Sequence, residues 1–101
     1  MTEIATKYVE KDWKWFEDYG FVYAEWTVNC PADRTCQVGM GINAFGEPRG
    51  EKIRFSGYQE FTTIGIGSIH IRVVDGQESC KVRLDRGKVG LIPIYDGPFP
   101  N

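Results

Sequence analysis

The chain has little of what most recognisable chemistry requires. Its 101 residues include one histidine, His70, so imidazole chemistry rests on a single side chain and a histidine-rich metal centre is excluded. The cysteines, Cys30, Cys36 and Cys80, number three, which excludes a fully paired disulfide framework within one chain. Their spacings lack the short paired steps of a zinc site, so neither a metal nor any other cofactor is expected. No stretch approaches the roughly 18 apolar residues of a transmembrane helix. With 12 Lys and Arg against 14 Asp and Glu, the net charge of -2 excludes the broad basic field behind non-specific nucleic-acid binding, and no specific nucleic acid is expected. Repeats, low-complexity tracts and Pro/Ser-rich linkers are missing too, so residues 1–101 read as a single domain. The first 20 residues have no basic start followed by an apolar stretch. The expected compartment is therefore cytoplasmic, or secreted after signal removal.

Catalytic signatures are equally scarce. Gly39-x-Gly41 and Gly65-x-Gly67 lack the Lys and Ser/Thr of a phosphate loop and read as strand glycines or bends. A carboxylate pair drawn from Asp12, Glu17, Asp18 and Glu25 would need a cleft that so small a domain rarely encloses. No catalytic residue is assigned, and the chain is expected not to be an enzyme.

Aromatic and β-branched residues are plentiful. The 14 aromatic side chains include three Trp and five Tyr, more than packing alone requires. The segment Phe21 to Asn29 alternates as a strand does, and the turn residues Pro31 to Arg34 suggest a hairpin into an extended stretch from Thr35 to Ala44. Further strands are expected near Glu51–Phe55 and Glu60–Ile66, with Phe45–Gly50 as a loop and a bulge or tight bend over Gly65–Ser68. Lys7 to Tyr19 reads as a strand or irregular arm. In the last third, a four-residue loop at Asp75–Glu78 pairs Val73 with Cys80, Ile71 with Val82 and Ile69 with Leu84. A second loop at Asp85–Lys88 pairs Leu84 with Val89 and Val82 with Leu91. Every apolar residue then falls on one face. The expected fold is all-β: an antiparallel β-sandwich or partly open barrel of about 7–8 short strands with a C-terminal three-stranded meander and Asp96–Asn101 as an ordered tail.

That register also puts His70 opposite Arg83 and Arg72 opposite Lys81 on the outer face, a basic strip suited to an acidic protein surface, a sulfated or sialylated glycan, a phosphate head group or nucleic acid. The bland alternative is a solvated face neutralised by the N-terminal arm, since residues 1–30 carry six acids against three Lys. Trp13, Trp15 and Tyr19 belong to the densest aromatic cluster and suit stacking on sugars or a protein contact. Across Pro31–Thr35, Cys30 and Cys36 are close enough for a disulfide or for two reduced thiols, while Cys80 reads as a core residue.

The ending Gly87-Lys88-Val89-Gly90-Leu91-Ile92-Pro93-Ile94-Tyr95 resembles the closing signature of SH3 domains, a hairpin running into Gly-x-Ile-Pro with a nearby Tyr. The opening Ala-Leu-Tyr-Asp-Tyr type motif and the paired Trp of the ligand groove are missing, so the resemblance implies an SH3-like barrel end and no proline-rich ligand.

The functional expectation is a non-catalytic recognition module that binds a protein or carbohydrate through Trp13, Trp15, Tyr19, His70, Arg72, Lys81 and Arg83. The alternatives are a small toxin-like or membrane-surface protein, or a homo-oligomeric structural protein with its aromatics buried between subunits.

Overall fold

The computed structural model describes residues 1–76 and 78–90 and contains ten strands and no helix among them. They are β1 (Thr2–Val9), β2 (Lys14–Tyr19), β3 (Tyr23–Asn29), β4 (Cys36–Gly39), β5 (Asn43–Ala44), β6 (Glu47–Pro48), β7 (Lys52–Phe55), β8 (Tyr58–Thr63), β9 (Gly67–Val73) and β10 (Cys80–Gly90). Two four-stranded antiparallel sheets, ordered β1-β10-β3-β8 and β2-β9-β4-β7, pack face to face, and β5-β6 forms a separate small hairpin. The expected β-sandwich is therefore the fold.

Period-two alternation makes each strand amphipathic. In β9, Ile69, Ile71 and Val73 enter the core; in β10, Cys80, Val82 and Leu84 do the same from the opposite sheet. Each fully buried aliphatic side chain contributes about 1.5–3 kcal/mol. Trp26 is the largest fully buried side chain, stacked on Phe61 with ring centroids 6.4 Å apart and tilted against Tyr19 at 6.5 Å. Its indole N–H donates to the Thr63 hydroxyl at 2.8 Å, so no polar group is stranded there.

The connections differ from the expected ones. The chain changes sheet at every step from β1 to β4 and again from β7 to β10. The C-terminal meander is thus not formed. β9 pairs with β2 and β4, while β10 pairs with β1 and β3, so the two strands lie in different sheets and no hairpin joins them; Gln77 of the expected loop lies outside the described residues. The physical reason is an ambiguity in the apolar pattern. Ile69, Ile71 and Val73 can meet Leu84, Val82 and Cys80 side by side on one face of a sheet, or across the core from facing sheets, and both arrangements bury the same residues. The hairpin expected around Pro31–Arg34 fails for the same reason, because β3 and β4 lie in different sheets.

Asp85–Lys88 is not a turn either. β10 runs on through it to Gly90 with a register shift between Arg86 and Val89, so Leu84 pairs with Ala5 and Val28 while Val89 pairs with Ala24. That bulge absorbs the turn-forming residues without reversing the chain. Leu91, the tail from Asp96 and most of the SH3-like ending lie outside the described residues.

Nearer the start, Lys7–Tyr19 resolves into the end of β1, a turn and β2, with a register shift between Trp15 and Glu17 that accompanies burial of Phe16. The loop expected at Phe45–Gly50 contains the turn and second strand of the β5-β6 hairpin. The bend expected at Gly65–Ser68 is where the chain leaves β8 for the other sheet, with Gly65 at φ 84°.

Candidate recognition face

Pairing of β2 with β9 joins two groups of residues that are far apart in sequence. Trp15 stands opposite His70, and the Arg72 guanidinium lies 4.9 Å from the centre of the Trp13 ring. On the same outer face, Gly39 pairs with His70 and Gln37 with Arg72. The β5-β6 hairpin folds over this face, and it can do so because residue 39 is glycine. A Cβ there would lie 2.5 Å from Pro48 Cγ and 3.1 Å from the Trp13 ring.

Trp15 is 45% exposed. Its indole N–H donates to Asp18 Oδ1 at 2.8 Å, and the Lys7 ammonium sits 4.5 Å from its ring centre while donating to the Trp15 carbonyl at 2.9 Å. These contacts fix the ring and leave part of it open to solvent. Burial among its neighbours lowers the Lys7 pKa, with Lys14 adding to the effect. At the tip of the β5-β6 hairpin, Phe45 is 98% exposed and adopts the left-handed backbone region at φ 56°. Phenylalanine is an uncommon choice at such a position, where Asn or Gly is favoured. Its selection there is explained by no intramolecular packing beyond the Arg49 guanidinium, 5.8 Å from the ring centre.

His70 belongs to this face but is only 8% exposed. Its Nε2 lies 3.3 Å from Asn43 Nδ2 and its Nδ1 lies 3.3 Å from the Ser68 hydroxyl. Burial lowers its pKa, partly opposed by Asp18. Ser68 and His70 do not form an exposed nucleophile–base pair, since Ser68 is itself buried, with its hydroxyl also donating to the Gly41 carbonyl at 3.4 Å. The Asp18 carboxylate accepts from Trp15.

Three of the expected ligand residues go elsewhere. Tyr19 is a core residue, 5% exposed, whose hydroxyl accepts the Gly41 N–H at 2.9 Å. Lys81 and Arg83 lie on β10 in the other sheet, where Arg83 pairs with Thr6 and Asn29 instead of His70, and Lys81 pairs with Tyr8 instead of Arg72. Arg83 is neutralised by Asp85 at 2.7 Å and Glu3 at 3.6 Å, so the N-terminal strand does supply a counter-charge. The continuous basic strip is replaced by two separate surfaces, because β9 and β10 are not neighbours.

The face also contains residues that sequence reasoning passed over. Arg54 on β7 pairs with Gln37, and Lys11 sits in the β1–β2 turn close to Arg72. The signal for Arg54 was legible in Lys52-Ile53-Arg54-Phe55, where the charged residues alternate with apolar ones. Nothing local distinguished Lys11.

Away from this face, the three thiols converge. Cys36 and Cys80 approach to 3.7 Å between sulfurs across the core, and Cys30 is near enough to perturb Cys36. All three are free. Burial, with Cys30 second, pushes the Cys36 thiol well above the ordinary range, and burial likewise raises Cys30. A groove of about 470 Å³ beside β7 and β8 contains Glu25, Glu51 and Glu60 but none of the expected ligand residues. Tyr23 and Tyr58 hydroxyls donate to Glu25 and Glu60 at 2.8 and 3.0 Å.

No protein-family model, curated protein or solved structure matches the chain.

Proposed function

We propose that the chain is a non-catalytic recognition module that holds a protein or carbohydrate ligand on the outer face of the β2-β9-β4-β7 sheet, around Trp13, Trp15 and Arg72. The observation that carries this reading is the β2–β9 register, which brings a half-exposed, rigidly held indole and a ring-stacked guanidinium onto one face. Aromatic and arginine side chains held in this way dominate recognition surfaces, because they supply contact area at small entropic cost. The exposed Phe45, on the hairpin that packs over the same face, adds a third aromatic.

Glycan and peptide arrays probed with the wild-type chain and with Trp15→Ala test the reading. A defined set of ligands whose binding falls at least about tenfold in Trp15→Ala supports it. Blank arrays, or binding indifferent to Trp15 and Phe45 substitutions, would refute it. A second reading, a membrane-surface protein, is favoured by Ile42, Phe45, Ile64 and Ile66, which expose large apolar side chains on connections between strands. Co-sedimentation with anionic vesicles that is lost in Phe45→Ser and Ile66→Ser would select it.

A further inference from the structure

Three cations from separate elements line one small pocket of about 280 Å³: Lys11 from the β1–β2 turn, Arg54 from β7 and Arg72 from β9, with Val73, Val74 and Gly76 beside them. Gln37 on β4 stands between the arginines, in register with both. Arg72 is oriented in advance. Its Nε donates to Gln37 Oε1 at 3.0 Å and its plane is held near the Trp13 ring. The two terminal nitrogens, which form the fork that grips an oxyanion, have no hydrogen-bond partner among the described residues. No carboxylate lies within 4.0 Å of any of the three cations among those residues. The nearby Asp75 is already committed, accepting from Arg34 at 3.2 Å and from the Thr35 N–H at 2.7 Å.

A chain with net charge -2 thus concentrates three unneutralised cations at one point. Cations that approach from three strands or turns match a group with acceptors in three directions. A tetrahedral oxyanion has that shape, whereas a carboxylate presents two oxygens in one plane. The pocket is smaller than the roughly 300–1,000 Å³ of sites that enclose a whole small molecule, so it suits one substituent of a larger ligand. We infer that this pocket seats a sulfate or phosphate monoester carried by the ligand, gripped by Arg72, Arg54 and Lys11, with the remainder of the ligand lying over Trp13. The assignment of a carrier rests on the recognition reading; the anion site itself does not.

Inorganic sulfate and inorganic phosphate are titrated into the full chain at constant ionic strength, followed by the backbone amide resonances of Val73, Val74 and Gly76. Saturable shifts are expected at these amides. Arg54→Gln and Lys11→Gln, both exposed residues with no structural bond among the described residues, should each weaken binding about tenfold, while Lys88→Gln changes nothing. Absent or non-saturating shifts, or shifts equal in the Arg54 and Lys11 variants, overturn the inference. O-sulfated and O-phosphorylated monosaccharides then separate the two sources, with the unsubstituted sugar as reference. If the unsubstituted sugar binds equally well, the assignment of the anion to the ligand is refuted and the recognition reading stands. If the oxyanions bind but the arrays stay blank, the site stands and that reading fails.

Discussion

Oxidation should join Cys36 to Cys80 and leave Cys30 free. The two sulfurs lie 3.7 Å apart across the core, so the bond closes once they approach by roughly a further 1.7 Å. In the chain-entropy treatment, a cross-link between residues 44 positions apart closes a loop of about 45 residues and stabilises the fold by about 4 kcal/mol. The alternative Cys30–Cys36 bond closes only about seven residues, for about 2.4 kcal/mol on the same relation. For a domain of this size each kcal/mol is worth roughly 4–8 °C, so the inter-sheet bond should raise the Tm by roughly 16–32 °C and the short one by roughly 10–19 °C. Burial of both sulfurs slows access of the oxidant, and burial also raises the Cys36 pKa, so attack by the Cys36 thiolate should speed up at higher pH. The assay combines diamide oxidation, thiol counting after denaturation, non-reducing peptide mapping and thermal unfolding. Cys30→Ser should keep the full stabilisation and Cys80→Ser should lose it. A mapped Cys30–Cys36 bond with Cys80 still alkylatable, or a Cys36–Cys80 bond with unchanged Tm, would refute the reasoning.

Other perturbations test the core and the β2-β9-β4-β7 sheet. Thr63→Val preserves shape but leaves the Trp26 N–H unpaired in the core, and denaturant unfolding should show a loss of about 1–3 kcal/mol, with Thr63→Ser recovering part of it. Gly39→Ala forces a methyl group against the rigid Pro48 ring and should cost about 1–3 kcal/mol, with a changed Trp13 emission spectrum as the hairpin is displaced. His70 has a folded-state pKa below its unfolded value, so the fold prefers the neutral ring. Its contribution is complete above the unfolded value of about 6.5 and is lost as pH falls through the lower folded value. Stability measured across that window should drop toward acid in the wild type and drop less in His70→Gln; equal slopes would show that Asp18, Ser68 and Asn43 leave no net preference for the neutral form.

The sequence by itself determined the all-β class and the inward faces of the strands in its last third, although the Asp85–Lys88 loop it suggested is strand and most of β1 went unseen. Alternation in Ile69–Val73 and Cys80–Leu84 has one reading at the level of a single strand, since the pleat sends neighbouring side chains to opposite sides. It did not determine the partners, because an apolar row is satisfied equally by a neighbour in its own sheet and by a facing sheet. The sandwich chose the second. That choice decided the site: His70 and Arg72 were recognisable as outward polar residues on one strand, and Trp13 and Trp15 as surplus aromatics, but only β2–β9 pairing brought them together. The same choice sent Lys81 and Arg83 to the opposite surface and added Arg54 and Lys11, which are distant in sequence from Arg72. It also put Cys80 against Cys36, where local spacing had favoured Cys30. Short-range pattern reports the environment that each residue needs; which distant residue supplies it is settled when the whole chain buries its apolar faces at once.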